Sequence, residues 1–167
     1  AGLDAEIPVV GALAPEFTWS VWRRRPEEYP VTTLLPLEAV QAAKEQSVAA
    51  SEQLDLALRR AFFSDSRCIS LRSEVEQAAK ACDDVELTAL MDALDDGRSR
   101  RAVIDQWRAA DADDAVKGSP HVFLRDGSDS HNPGVAMHMQ GEHGRGFPVI
   151  DSFDGSVYDD LLRRALA

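Results

Sequence analysis

The side chains able to do chemistry in this sequence are two thiols and four imidazoles. Cys68 and Cys82 form neither a Cys-x-x-Cys pair nor a zinc-ligand pattern. Cys82 falls on an apolar helical face, where a thiol is usually inert, so Cys68 is expected to stand as a single exposed thiol. His121, His131, His138 and His143 lie within 23 residues. Histidine is a common metal ligand. No two of these stand at i, i+4 on a helix, and no carboxylate or thiolate spacing completes a site. Solvated or hydrogen-bonding histidines are therefore expected, and no metal. Gly141-Glu142-His143-Gly144-Arg145-Gly146 invites a phosphate-loop reading but lacks the Lys-Ser/Thr ending and the helix start, so it reads as a flexible loop. Asp95-Asp96 and Asp111 to Asp114 pair carboxylates at helix ends and in linkers, where solvation explains them. No motif asks for a cofactor.

One stretch of backbone is more informative than these side chains. Lys117-Gly118-Ser119-Pro120 runs straight into His121-Val122-Phe123-Leu124. A proline cannot donate to a sheet ladder, so Pro120 belongs at a strand's first residue or on an edge. A tight X-Pro turn is also the place where a cis peptide costs least. Two readings follow. One is a trans-proline loop before an edge strand. The other is a corner whose Gly118 and Ser119 backbone faces outward and can pair with an extended peptide. His121, directly after the corner, would line that groove.

Around this corner the pattern splits in two. Residues 1–32 read as irregular, with Ile7-Pro8-Val9-Val10 as a possible short strand and Phe17, Trp19 and Trp22 packing over an apolar surface. Residues 33–112 read as a helical bundle. The first helix runs from the Thr33 cap to about Ser47, with Leu37, Val40 and Lys44 following one face. Leu54, Ala57, Leu58, Ala61 and Phe62 make the clearest apolar stripe. A third helix starts near Ser70 and turns Leu71, Val75, Ala78, Ala79 and Cys82 to one side. A fourth starts near Val85, carries Leu87, Leu90, Met91 and Leu94, and is stopped by Gly97. A fifth begins near Arg98 with Val103, Trp107 and Ala110 inward. Residues 113–167 turn to β periodicity. A strand at 121–124, the polar turn Arg125 to Asp129 and a strand at Val135 to Met139 read as a hairpin. Phe147-Pro148-Val149-Ile150 is a short apolar segment, and Ser156 would cap a closing helix with Val157, Leu161 and Ala165 on one side.

Composition narrows the classes. The chain has 167 residues, 44% of them hydrophobic, and a net charge of −11. The longest basic run is Arg23-Arg24-Arg25, so a nucleic-acid partner is not expected. No stretch approaches the roughly 18 apolar residues of a membrane span, and Ala1 to Ala14 lacks the basic start of a signal peptide. Two cysteines give no disulfide framework and fit a reducing, cytoplasmic compartment.

At this point the ordered residues carry a resemblance. Ala61-Phe62-Phe63 running to Arg67-Cys68-Ile69-Ser70, Leu90 to Gly97, Val116 to Leu124, and Asp126-Gly127 through His131-Asn132-Pro133-Gly134 together resemble the DsbA-like thioredoxin-fold thiol–disulfide oxidoreductases of the cytoplasmic actinobacterial and polyketide-cluster type. The likeness covers about residues 30–167. It implies an α/β, thioredoxin-like fold with an inserted helical domain at 33–112 and a C-terminal thioredoxin half at 113–167. It also implies that Ser119-Pro120 is cis and that the Ser119 backbone pairs with the substrate peptide. Gly118, Ser119, Pro120 and His121 are then the substrate-binding residues.

The sequence departs from that family in one respect. The family's nucleophilic cysteine opens a helix after the first strand, in a Cys-x-x-Cys whose thiolate the helix N-terminus stabilises. No such motif occurs here, so no catalytic residue is expected in this chain and the redox segment is expected upstream of Ala1. The implied partners are a thiol- or disulfide-bearing peptide, or a glutathione-like thiol. Two other readings stand beside this one. A redox-dead peptide-binding or assembly module would keep the groove and lack the thiol. A glutathione-dependent 2-hydroxychromene-2-carboxylate isomerase would carry Ser in place of Cys in the upstream segment. A thioredoxin sheet without its first strands leaves an open edge, so self-association to a homo-oligomer is expected.

Overall fold

The computed structural model describes residues 2–142 and 146–166. Among them the protein is mixed α/β, with seven α-helices and two antiparallel two-stranded sheets. It divides into two compact units. One is the helical unit, Gly11–Ala109; the other takes in the described residues up to Val10 and from Ala110 onward.

The start of the chain is helical, α1 at Gly2–Leu13, and not the irregular segment with a strand at 7–10 that the prolines suggest. Leu3, Ile7 and Val10 recur at helical spacing, and Ile7 is buried. Pro8 lies inside this helix and interrupts its ladder, having no N–H to donate.

The helical unit contains α2 (Leu34–Gln46), α3 (Val48–Phe63), α4 (Arg72–Ala79), α5 (Leu87–Asp95) and α6 (Arg98–Asp111). Its core is small and aliphatic. Ala39, Ala42 and Ala43 of α2 meet Ala50, Leu54, Leu58 and Ala61 of α3, with Val75, Ala78, Ala79 and Cys82 from α4 and its end, and Leu90, Ala93 and Leu94 from α5. Leu54 and Leu90 are fully buried, and such a leucine contributes about 2 kcal/mol on leaving water. The α3, α4 and α5 stripes match the periodicity apart from Leu71, which is exposed at the α4 start.

Two faces differ from expectation. In α2 the buried residues are Pro36, Glu38, Ala39, Ala42 and Ala43, while Leu37 is exposed. Alanines let α3 approach closely, and the face they occupy excludes the bulkier Leu37. In α6 Trp107 and Ala110 are exposed and Ser99 is the buried residue; α6 is held to α2 through polar groups, as Arg100–Glu38 and Gln106–Gln41.

Helix ends follow side-chain capping. Ser47 Oγ accepts the Ala50 N–H, and Glu86 accepts the Thr88 and Ala89 N–H groups. Thr33 is the N-cap of α2 but makes no side-chain cap bond; Thr32 Oγ1 accepts from Leu34 instead. Gly97, at φ +69°, ends α5 in the left-handed conformation that glycine adopts without cost.

Phe17, Trp19 and Trp22 pack as expected. Trp19 meets Phe17 and Phe63, Trp22 meets Tyr29 and Phe62, and neighbouring ring centroids lie 4.8–5.8 Å apart. These edge-on and tilted pairs are the arrangement that aromatic quadrupoles favour. They draw residues 17–29 into the helical unit.

In the second unit the strands are β1 (His121–Phe123), β2 (Asp129–His131), β3 (Val135–Gln140) and β4 (Phe147–Phe153), followed by α7 (Ser156–Leu166). The pairing is β1–β2 and β3–β4. The single hairpin expected between 121–124 and 135–139 is therefore two hairpins. The turn Leu124 to Ser128 closes with the Leu124 N–H on the Ser128 carbonyl, so its second arm is β2. The apolar segment at 147–150 becomes the partner of β3. At the head of α7, Asp154 Oδ1 accepts both the N–H and the hydroxyl of Ser156. The capping oxygen thus belongs to Asp154, and Ser156 is the first helical residue.

Candidate functional site

The candidate site is the corner that leads into β1. The Asn132 N–H donates to the Pro120 carbonyl at 2.9 Å, and Leu124 donates to Ser128 at 2.8 Å. In an antiparallel pair, bonded and non-bonded positions alternate. Pro120/Asn132 and Leu124/Ser128 are bonded positions, so His121/His131 and Phe123/Asp129 are not. The amides and carbonyls of His121 and Phe123 consequently point away from β2, along the outer edge of β1. Among the described residues no strand pairs with that edge, and the Gly118 and Ser119 backbones make no hydrogen bond. The Ser119-Pro120 bond is cis, and Gly118 has φ +145°.

The side chains beneath that edge are tightly arranged. His121 and Phe123 share a face with Asp129 and His131, because directly opposed residues of a pair lie on one side. The imidazole of His121 is 2% exposed, although the residue as a whole is half-buried, so it is the His121 main chain that faces solvent. Its ring lies 4.2 Å from Phe123 and 5.6 Å from His131, centroid to centroid. Its Nδ1 accepts the Lys117 N–H at 3.2 Å, and its Nε2 lies 2.8 Å from Asp129 Oδ1. An amide can only donate, so Nδ1 carries no proton, and Nε2–H donates to the carboxylate. The His121 hydrogen bond is the first cause holding the Asp129 carboxyl below the ordinary range, and the Lys117 ammonium adds to it. His131 stands over Gly118, where a Cβ would come within 3.1 Å of its Nε2.

Gly118, Ser119, Pro120 and His121 are thus contiguous at one edge. Gly118, Ser119 and Pro120 are exposed. Both ring nitrogens of His121 are already engaged, so what it offers a visiting molecule is its backbone. Asp129 and His131 were not legible as part of this corner, since only the β1–β2 register brings them there.

The remaining candidates lie apart. His138 pairs with Asp151, the bulged residue of β4, at 3.0 Å, and His143 lies outside the described residues, as do Gly144 and Arg145 of the glycine-rich loop. Among the described residues no three His, Cys, Asp or Glu side chains converge as metal ligands. Cys68 and Cys82 are both free thiols. Cys68 is half-buried and not the exposed thiol expected, because the chain folds back over it, with the Arg67 and Leu71 N–H groups bonded to Ala61 and Cys68 carbonyls. Burial pushes the Cys82 thiol up, and Asp83 adds to the effect.

The second sheet carries an apolar face that is partly exposed, with Pro148 on it buried. Val135, Met137 and Met139 oppose Phe153, Ile150 and Pro148, and all six are apolar. Met137, Met139 and Phe153 are each 43–54% exposed. Comparison with protein families, curated proteins and solved structures returns no match. No helix among the described residues is long and apolar enough to cross a membrane.

Proposed function

We propose that the corner Gly118-Ser119-Pro120-His121 is the strand-receiving edge of a DsbA-like thiol–disulfide oxidoreductase of thioredoxin-like fold, acting in the cytoplasm. The observation that carries this reading is the outer edge of β1, unpaired among the described residues and continuous there with the unbonded Ser119 backbone. An extended peptide would add to it as a further strand, taking affinity from main-chain hydrogen bonds. The chemistry is thiolate attack on a disulfide through a mixed disulfide. Cys82 is buried and its thiol is pushed up, which disfavours it as the nucleophile; in the family this reading draws on, the attacking cysteine belongs to a Cys-x-x-Cys, which this sequence does not contain. A second copy of the chain competes for the same open edge, giving a homo-oligomer.

Titrating the protein with an extended, disulfide-bearing peptide tests this by NMR. The Ser119, His121 and Phe123 amides are expected to shift, while those of Val122 and Ser130 stay in place; unmoved outer-edge amides would remove the reading. Insulin reduction by the product of the coding sequence including what precedes Ala1 then separates the activities. Peptide capture without reduction favours a redox-dead binding or assembly module. Glutathione binding without disulfide exchange favours the hydroxychromene-carboxylate isomerase type.

A further inference from the structure

We propose that Asp129 is a positioning residue of this corner and acts through His121. The proposal rests on the reading of the corner as a strand receptor. Gly118-Ser119-Pro120 is bracketed by Lys117 and His121, and one hydrogen bond closes the bracket: Lys117 N–H to His121 Nδ1, 3.2 Å. That bond exists only while Nδ1 is an unprotonated acceptor. A neutral imidazole has two tautomers, and one of them puts its proton on Nδ1 and turns it into a donor. Asp129 selects the other by accepting from Nε2–H at 2.8 Å. The ring is 2% exposed, so water is a poor substitute for either partner. The carboxylate therefore fixes the corner's backbone across three residues without touching it.

The groups facing the ring are Asp129 and His131 from β2, with Phe123 of its own strand and Lys117 at the corner. Asp129 is the one anion among them. Through its bond it favours the Nε2–H tautomer, and so it sets the closed form.

Imidazole nitrogen shifts and Lys117 amide exchange in the full chain test the proposal. In the parent, the Nε2–H tautomer is expected and the Lys117 amide is protected. In Asp129→Ala the tautomers mix, and Lys117 exchange rises about fivefold, the factor that one ordinary hydrogen bond supplies. Asp129→Asn keeps an accepting oxygen and is expected to restore both signatures. An unchanged tautomer and unchanged Lys117 exchange in folded Asp129→Ala would overturn the inference, as would failure of Asp129→Asn to rescue. The peptide arm is separate. If the parent's outer-edge amides never respond to peptide, the strand-receptor reading fails, whatever the tautomer. If they respond and Asp129→Ala binds equally well, positioning fails and the receptor stands.

Discussion

Arg100 and Glu38 are 62 residues apart in the chain, and Arg100 Nε lies 2.8 Å from Glu38 Oε1. The Glu38 side chain is 3% exposed and that of Arg100 is 56% exposed. An arginine on α6 thus reaches over α2 to answer a carboxylate inside the helical unit. Removing one partner of a buried pair costs more than removing both, because a charge is left without compensation. Arg100→Ala is expected to lose about 2 kcal/mol, and Glu38→Leu with Arg100→Ala to recover most of that. Urea denaturation of the two variants decides it; equal stability for both would mean that the pair carries nothing.

Leu54 of α3 belongs to the aliphatic core of the helical unit and is fully buried. Leu54→Ala leaves a cavity that neighbouring alanines are too short to fill, and about 3 kcal/mol of stability should go with it. The same experiment on Leu56, which is 40% exposed, serves as the contrast and should change little.

Gly134 has φ +73°, and a Cβ there would run into the Asp154 carbonyl, closer than any real contact. Its own carbonyl accepts the Asp154 N–H at 2.8 Å. Gly134→Ala is therefore expected to cost about 2 kcal/mol or more and to free the Asp154 amide in hydrogen exchange. A protected amide and an unchanged melting temperature would contradict the close approach.

The Asp126 carboxyl is held far below the ordinary value of 3.8, first by the Ser128 hydroxyl, then by Arg164 and the Ser128 N–H. A carboxyl depressed on folding stabilises the native state above its unfolded value and loses that contribution as pH falls towards its folded one. Asp126→Asn should therefore lower the melting temperature at neutral pH, and the gap to the parent should narrow below pH 3.8. Both groups are exposed to solvent, so the effect is modest and shrinks in high salt. A gap that persists undiminished in strong acid would show that it is not electrostatic.

Cys82 is 9% exposed and its thiol is raised by burial; Cys68 is less enclosed. Alkylation depends on both access and thiolate. Iodoacetamide under native conditions is expected to label Cys68 about tenfold faster than Cys82, read by mass spectrometry of the two peptides. Reversed order would place Cys82 nearer solvent than its packing allows.

What the linear order determined was mostly local. The stripes at Leu54–Phe62, Val75–Cys82 and Leu87–Leu94 set α3, α4 and α5, because burial repeats with the helix turn and the eye can count it. Gly97 ended a helix, and Pro120 preceded a strand, for reasons held in single residues. Tertiary structure decided everything that depended on which segments met. A strand does not name its partner, so the turn after Leu124 chose β2 and left β3 for β4. Alanines on α2 chose the buried face that Leu37 had seemed to own, and α6 joined α2 through a charge and an amide where an apolar stripe was expected. The corner itself could be read in sequence. Its support could not: Asp129 and His131 reach Gly118 and His121 only through antiparallel register, and register is a property of two strands rather than of one.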